Sequence, residues 1–454
     1  MSGARTPAPA DLPAGGRRYW VETLGCPKNQ VDSDKLVGTL RADGLLEASG
    51  PGDADVVVVN TCAFIGEARQ ESIDAILAID GARQPGSELV VTGCMAERYG
   101  DELAEALPEV DAVAGFGVPV TLGRRPPGSA SPVPALDLLN LTRPASSLPW
   151  AYVKVAEGCD RACGFCAIPS FRGPQRSRSH DSILDEVASL VAGGPGGVPV
   201  REVVLVAQDL AAFGRDQGTG ARSIVRLVGE VAERVARVRL LYLYPSDLTD
   251  ALIDAVLATE VPYFDLSLQH VSRPLLRRMR RWGDGDRFLR RIADIRAREP
   301  EAAFRSNFIV GYPGETEEDH DQLLRFVAEA ELDWCGFFPY SEEAGTYAAD
   351  LDGTVPAALV AERHAELTEL QDAVTARRRD ALVGRELTVL VDAPGSARGT
   401  REAPEIDGVV QVPVELAPGT FCDVEITGAL GPDLDAVPVA GPARSAAGEV
   451  GARG

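Results

Sequence analysis

The order of strand and helix signals predicts an α/β protein in three parts: an N-terminal parallel α/β domain, a central partial (β/α) barrel of six units, and a small C-terminal β-barrel. Three observations carry that prediction. Strand and helix patterns alternate in two blocks, within residues 17–125 and again within 145–382, as they do in parallel sheets covered by helices. A long helical pattern then ends at Gly384, and short alternating strands follow, separated by Pro and Gly. Finally, 454 residues are too many for one ordinary core.

Residues 1–16, rich in Pro, Ala and Gly, lack the apolar core of a signal peptide and read as a disordered lead-in. In the 17–125 domain, Tyr19–Leu24, Val56–Asn60 and Leu89–Thr92 have the pattern of short buried strands. Asp32–Arg41, Ala68–Ile79 and Ala96–Leu107 have helical spacing. One cysteine follows each strand: Cys26, Cys62 and Cys94. Parallel sheets gather ligands at the carboxyl ends of their strands, so these three are expected to converge. They are either three ordinary buried cysteines or three thiolates of one iron–sulfur cluster. The repeated strand-end position favours the cluster. Residues 126–144, rich in Pro, Ser, Leu and Ala, read as a linker.

Six candidate strands run through the 145–382 domain: Tyr152–Val155, Glu202–Val206, Arg239–Tyr244, Tyr263–Ser267, Phe304–Val310 and Trp334–Phe338. Helical patterns between them include Ser182–Val191, Ile224–Val235, Leu248–Leu257, Asp286–Arg298 and Glu317–Ala330. A barrel of such units keeps its chemistry on the loops after the strands. The first of those loops holds Cys159, Cys163 and Cys166 in a C-x3-C-x2-C spacing, with Phe165 before the last cysteine. Three thiolates on one short loop suit three corners of a 4Fe-4S cubane, leaving the fourth iron open to a small molecule. A closed zinc site wants four ligands, and no second C-x2-C lies nearby. Three thiols this close cannot all pair as disulfides without strain.

Weaker signals surround that loop. Gln208 and Asp209 end the second barrel strand, and Gln269 and His270 the fourth; Arg305 lies in the fifth, which leads into Gly311-Tyr312-Pro313-Gly314. Each is a ligand contact or a satisfied structural hydrogen bond. Arg172, Arg176 and Arg178 suit a carboxylate or a cluster's charge, or else a solvated face. Cys335 and Cys422 have no cysteine partner at metal spacing and read as core residues, while His180, His320 and His364 read as surface histidines.

After a long helix over Pro356–Leu382, residues 383–445 carry strand patterns at Glu386–Val391, Gly408–Val412 and Thr420–Ile426, expected to form a five-stranded barrel serving recognition. Residues 446–454 read as a disordered tail. The stretch from Val383 to Gly454 has eleven Asp or Glu against five Arg and no Lys, and the whole chain carries a net charge of −23. Such a balance repels phosphates and suits a basic protein partner, which argues against direct RNA binding. No apolar run approaches a membrane span, so no membrane association and a cytoplasmic location are expected. There the eight cysteines would stay reduced.

The cysteine loop resembles the radical S-adenosylmethionine (SAM) superfamily, whose hallmark is C-x3-C-x-aromatic-C. The three upstream cysteines narrow the resemblance to methylthiotransferases, and the C-terminal module resembles their TRAM domain. Five strings are similar to the branch that modifies an aspartate in protein twelve of the small ribosomal subunit. They are Leu24-Gly25-Cys26-Pro27-Lys28-Asn29, Ile168-Pro169-Ser170-Phe171-Arg172-Gly173, Leu268-Gln269-His270, the run from Phe308 to Thr316, and the run from Glu402 to Gly408. The tRNA-modifying, MiaB-like relatives typically read Gly-Cys-Gln-Met-Asn and Leu-Gln-Ser-Gly-Ser at the first and third of these, and this chain has neither.

The resemblance implies two 4Fe-4S clusters. Cys159, Cys163 and Cys166 would hold the one that binds SAM and cleaves it to a deoxyadenosyl radical, with Phe165, Gln208, Gln269 and Arg305 as SAM contacts. Cys26, Cys62 and Cys94 would hold the other, which carries sulfide for methylation. The methylthio group would go to the β-carbon of the aspartate, an unactivated position that acid–base catalysis alone does not reach. The implied partners are a basic ribosomal protein of the small subunit as substrate, a reductase or flavodoxin-type electron donor, and a sulfide donor. The alternatives are a MiaB-like tRNA adenosine methylthiotransferase and a two-cluster electron carrier without a substrate.

Overall fold

The computed structural model describes residues 16–116, 137–218 and 222–439. The expected disordered lead-in (apart from Gly16), the expected disordered tail and the 126–136 part of the expected linker lie outside the described residues. The chain divides into two units, residues 1–144 and 145–454.

The first unit is a parallel sheet of β1 (Arg18–Thr23), β2 (Leu46–Glu47), β3 (Val56–Thr61), β4 (Glu88–Gly93) and β5 (Ala112–Ala114), in the order β2-β1-β3-β4-β5. The central β3 is buried along its whole length, which is why it reads as an unbroken Val run rather than an alternation. The edge strands β2 and β5 span only two and three residues, too short to leave a periodic signal, and sequence reading did not anticipate them. Helices α1 (Pro27–Ala42), α2 (Gly66–Ala82) and α3 (Cys94–Ala106) connect the strands. Helix α1 begins five residues before the expected Asp32. Its first turns bury Lys28, Asn29, Asp32, Ser33 and Lys35, so polar side chains occupy the inward face and apolar periodicity is missing. Lys35 Nζ, fully buried, donates to the Leu139 carbonyl at 2.7 Å.

The second unit opens with β6 (Trp150–Lys154), a two-residue hairpin of β7 (Ala156–Glu157) and β8 (Arg176–Ser177) around α4 (Ile168–Arg172), and α5 (His180–Ala192). Then follow β9 (Glu202–Val206), α6 (Arg222–Ala232), β10 (Arg237–Leu240), α7 (Asp250–Leu257), β11 (Tyr263–Gln269), α8 (Arg273–Arg278), α9 (Gly285–Arg298), β12 (Ala303–Val310), α10 (Glu317–Ala330), β13 (Trp334–Pro339) and α11 (Ala357–Asp380). Strands β6, β9 and β10 form one parallel set and β11, β12 and β13 another. A parallel bridge between Leu243 and Leu266 joins the sets into six strands of a partial barrel. Strand β10 stops short of the expected Tyr244 because Tyr242 turns into the left-handed region, φ 65°. Val153, Leu205, Leu240, Leu268, Phe308 and their neighbours fill the core.

The C-terminal module closes as a five-stranded barrel of β14 (Glu386–Ala393), β15 (Ser396–Arg398), β16 (Val410–Gln411), β17 (Phe421–Leu430) and β18 (Asp433–Pro438), in the order β14-β15-β16-β18-β17. It is anchored firmly. The segment 398–407 lies against the amino-terminal halves of the large barrel's strands. Glu202, at the start of β9, receives Arg239 at 2.8 Å and Arg398 at 3.2 Å, all three side chains almost fully buried. Tyr263, at the start of β11, donates to Asp407 at 2.6 Å, and Trp334, at the start of β13, donates its indole N–H to the Arg401 carbonyl at 2.7 Å. Tyr152 donates to the Pro404 carbonyl at 2.9 Å.

Burial alone would raise the Glu202 carboxyl, but Arg398, Arg239 and Arg237 outweigh it and hold its pKa down to about 2. A carboxyl with a lowered folded pKa contributes stability above its unfolded value near 4.5, and that contribution is lost as pH falls toward 2. The gap corresponds to about 3 kcal/mol. Substituting Glu202→Gln should cost roughly 3–5 kcal/mol at neutral pH, because it strands buried guanidinium groups. It should also flatten the loss of stability between pH 4.5 and 2, as urea titrations across that range would read; an unchanged pH slope would contradict the pairing.

Candidate active site

Three Gly-Cys dipeptides build the two candidate sites. Gly25, Gly93 and Gly158 have φ of 91°, 93° and 79°, in the region that favours glycine. Each turns the chain at or just after a strand end and puts the next residue, Cys26, Cys94 or Cys159, at the start of a helix or loop. Space demands glycine too. A Cβ on Gly93 would stand 2.3 Å from Asn60 Oδ1, one on Gly25 would stand 2.9 Å from Cys62 Sγ, and one on Gly158 would stand 2.2 Å from the Pro174 carbonyl oxygen.

In the first unit, Cys26 caps the amino terminus of α1, Cys62 follows β3 and Cys94 opens α3. Asn29 links them. Its amide donates to the carbonyls of Leu24 and Thr61 at 3.0 and 2.9 Å, tying the ends of β1 and β3, and its Oδ1 accepts from Cys94 Sγ at 3.6 Å. Ser72 holds the Cys62 backbone by accepting from its N–H at 3.1 Å and donating to its carbonyl at 3.0 Å. The three cysteines therefore gather at the carboxyl edge of the sheet. Asn29 closes the Leu24–Asn29 string that carries the family resemblance, but sequence reading assigned it no role, because a buried polar residue leaves no periodic mark.

In the second unit, the Cys159–Cys166 loop lies at the carboxyl end of the barrel. Its backbone is held by Cys159 N–H to the Gly173 carbonyl at 3.1 Å, Gly164 N–H to the Met279 carbonyl at 2.8 Å, and Ala348 N–H to the Gly164 carbonyl at 2.8 Å. Gly164 packs so closely that a Cβ would stand 2.9 Å from the Tyr312 hydroxyl. Arg161 pins the loop to the ends of two strands, donating to Asp209 at 2.6 Å and also to Asp247. Its guanidinium lies 3.9 Å from the centre of the Tyr244 ring, which Arg281 also flanks at 4.3 Å. Arg281 donates to Cys163 Sγ at 3.1 Å. Neither arginine was anticipated, because their partners are remote in sequence.

Burial pushes the Cys159 thiol up to about 11, with Asp209 and Cys163 adding to it, and pushes the Cys166 thiol up to about 12, with Cys163 and Cys159 adding to it. Thiols that oppose one another's ionisation in a buried loop need a cation to become thiolates, a role that cluster iron would fill. Among the described residues, no three His, Cys, Asp or Glu side chains are grouped to hold one metal ion. A cubane does not require that, since each thiolate takes its own iron.

The other expected site residues divide. The Phe165 ring sits edge-on to Tyr312 with centroids 6.5 Å apart, and Tyr312 sits edge-on to Tyr340 at 5.3 Å. Gln208 donates to Glu157 at 2.5 Å, while its Oε1 is buried without a hydrogen-bond partner. Burial would raise Glu157, but Arg172 and Lys154 outweigh it and hold the carboxyl far below the usual range. Gln269 lies at a bulge at the end of β11 with φ 71°. Tyr242 and Arg280, φ 65° and 55°, are also left-handed and follow neighbouring elements, the kind of backbone strain that collects at functional sites.

Arg305 requires a correction. It is the third residue of β12, and it pairs with Asp407 at 2.6 Å and with the Ile406 carbonyl at 3.2 Å. It braces the C-terminal module, and its charge is taken up at the end of the barrel away from the cysteine loop. Arg172 and Arg178 are likewise buried in internal pairs, with Glu157 at 3.0 Å and Glu186 at 2.7 Å. His320 is not a surface histidine: it is 2% exposed and contacts Glu366 at 2.9 Å. His180, half-buried, bridges Glu230 and Ser223, and half-buried His364 meets the Phe337 carbonyl. His270 is fully buried and accepts from the Ser272 N–H at 3.0 Å. Cys335 and Cys422 lie in β13 and β17, outside both trios.

Comparison with known proteins places three families along the chain. Residues 18–115 match the uncharacterized protein family UPF0004, residues 153–327 the radical SAM superfamily, and residues 383–439 the TRAM domain. A protein of Sorangium cellulosum named ribosomal protein uS12 methylthiotransferase RimO is 41% identical, with 92% of this chain and 90% of that protein covered. A protein of the same name from Moorella thermoacetica is 43% identical, covering 90% and 96%. One from Streptomyces coelicolor is 40% identical, covering 94% and 97%. An iron–sulfur cluster and SAM thus belong to the barrel, and the Cys159–Cys166 loop offers the donor set that fits them. No helix among the described residues is long and apolar enough to cross a membrane.

Substituting Gly158→Ala would drive a methyl group into the Pro174 carbonyl and demand a left-handed alanine. The cysteine loop should shift, so that the anaerobically reconstituted variant loses most of its SAM cleavage and part of its iron while its far-ultraviolet circular dichroism stays close to the parent's. Full iron content with unchanged cleavage would contradict the tight turn.

Proposed function

The chain belongs to the RimO family of methylthiotransferases, and we propose that its two cysteine trios divide the labour, Cys159, Cys163 and Cys166 serving the radical and Cys26, Cys62 and Cys94 serving the sulfur. It is a radical SAM enzyme, a ribosomal protein uS12 methylthiotransferase. The finer reading is that each trio holds a 4Fe-4S cluster and that the product carries its methylthio group on the β-carbon of an aspartate. When bound, the barrel cluster supplies the electron that cleaves SAM, and the second supplies the methylthio sulfur.

The observation that carries the two-site reading is the convergence at the sheet edge of the first unit, with Cys62 packed against the Gly25 turn and Cys94 bonded to the Asn29 that follows Cys26. The chain's own residues do the rest. Gly158 and Gly173 shape the cysteine loop, and Arg161 fastens it to Asp209 and Asp247. Gln208 offers its unpartnered Oε1 to a bound donor, which suits the ammonium group of SAM. Phe165 and Tyr312 provide an aromatic wall. Electrons would come from a reductase or flavodoxin-type donor and sulfur from a sulfide donor, because neither is stored in the side chains of the two sites.

Substituting Cys163→Ala should abolish SAM cleavage. Substituting Cys62→Ala should leave cleavage intact and stop methylthio transfer, read as the missing mass increment on uS12 by mass spectrometry. Equal loss of both activities in both variants would defeat the division of labour. Transfer to tRNA in place of uS12 would shift the substrate to the tRNA-modifying relatives.

A further inference from the structure

We infer that Arg281 is the counter-charge of the barrel cluster and sets how readily that cluster accepts an electron. The inference rests on the reading that Cys159, Cys163 and Cys166 hold the cluster. Arg281 is 8% exposed, and a buried guanidinium is costly unless an anion compensates it. Most other buried arginines of the second unit meet carboxylates: Arg239 and Arg398 meet Glu202, Arg172 meets Glu157, Arg178 meets Glu186 and Arg363 meets Glu315. Arg237 donates to the Arg398 and Thr388 carbonyls, with the charge of Glu202 nearby. No carboxylate among the described residues pairs with Arg281. Its Nη1 donates to Cys163 Sγ at 3.1 Å, its Nη2 donates to the Ser267 carbonyl, and its Nε is buried with no partner.

The position is also fixed. Arg281 N–H donates to the Leu276 carbonyl at 2.7 Å, and the left-handed Arg280 before it turns the chain back toward the cysteine loop. Two residues earlier, the Met279 carbonyl accepts from Gly164 of that loop. Tyr244 stacks on the guanidinium at 4.3 Å from its centroid and limits its swing. A cation held in this way is built for a charge that arrives with the cofactor. A cubane bound by three thiolates brings that charge, and one more negative charge enters on reduction. Hydrogen bonds and positive charge at cluster sulfurs favour the reduced form.

The test compares wild type, Arg281→Lys and Arg281→Met, each reconstituted anaerobically as the full chain. Each is titrated with dithionite while the electron paramagnetic resonance signal that responds to SAM is followed. Arg281→Met should make the one-electron reduction about tenfold less favourable, a midpoint lower by ~59 mV, and Arg281→Lys, which keeps the charge, should stay nearer wild type. A midpoint unmoved in Arg281→Met, or lowered equally in both variants, would overturn the inference; so would lost stability or iron without a shift. Should Arg281→Met fail to fold, wild type labelled with 15N only in the arginine guanidinium should show a weak nitrogen coupling to the reduced cluster that vanishes in Arg281→Lys. Its absence in wild type would also overturn the inference. A wild type with no SAM-responsive signal would instead reject the cluster reading beneath it.

Discussion

Everything in these sites depends on a backbone constraint: a chain leaving a strand must turn sharply enough to deliver a sulfur at the strand's carboxyl end. Glycine meets that constraint at Gly25, Gly93 and Gly158, each with positive φ and each followed by a cysteine. Gly25 and Gly93 also have no room for a side chain beside Cys62 and Asn60. The sulfur positions are therefore set by strand ends: parallel strands β1 and β4 for Cys26 and Cys94, and the β7–β8 hairpin for Cys159. A ligand set placed on rigid elements loses little entropy when a cofactor binds.

The central barrel uses buried charge in opposite ways at its two ends. At the amino-terminal end, Glu202 meets Arg239 and Arg398, and Arg305 meets Asp407, so that charges are compensated within the protein and the C-terminal module is locked in place. At the carboxyl end, no carboxylate pairs with Arg281 and no donor reaches Gln208 Oε1 among the described residues. Unsatisfied buried groups are rare in folded proteins because each costs free energy. An unpaired cation and an unpartnered amide oxygen beside the cysteine loop are what a site for a charged ligand would use.

Both cysteine trios were legible in the sequence, because cysteine is scarce and its spacing or strand-end position is local information. The six barrel strands and three of the five strands of the C-terminal barrel were legible as apolar runs with turn signals at their ends, while Ser396–Arg398 and Asp433–Pro438 were not read. What was not legible lies in long-range pairing. Arg281 and Cys163 are 118 residues apart, and Arg305 and Asp407 are 102 apart; no periodicity links such positions. Arg305 misled because its strand leads to the site while its own side chain belongs to the other end. Helix α1 was read short because its buried face is polar, a pattern that helical periodicity cannot distinguish from solvent exposure.

The charge balance needs the same distinction between total and location. A net charge of −23 suggests an acidic surface, yet composition alone does not say where the basic residues are. Among the described residues, twelve Lys and Arg are buried against nine Asp and Glu. Positive charge is thus spent inside, in the seal beneath the barrel and beside the cysteine loop, and the exterior is more acidic than the formal total indicates. A field of that sign favours cations over phosphates, in a manner that salt weakens. The interior cations and the acidic exterior are two sides of one allocation: arginine is kept where a buried carboxylate or the cysteine loop faces it.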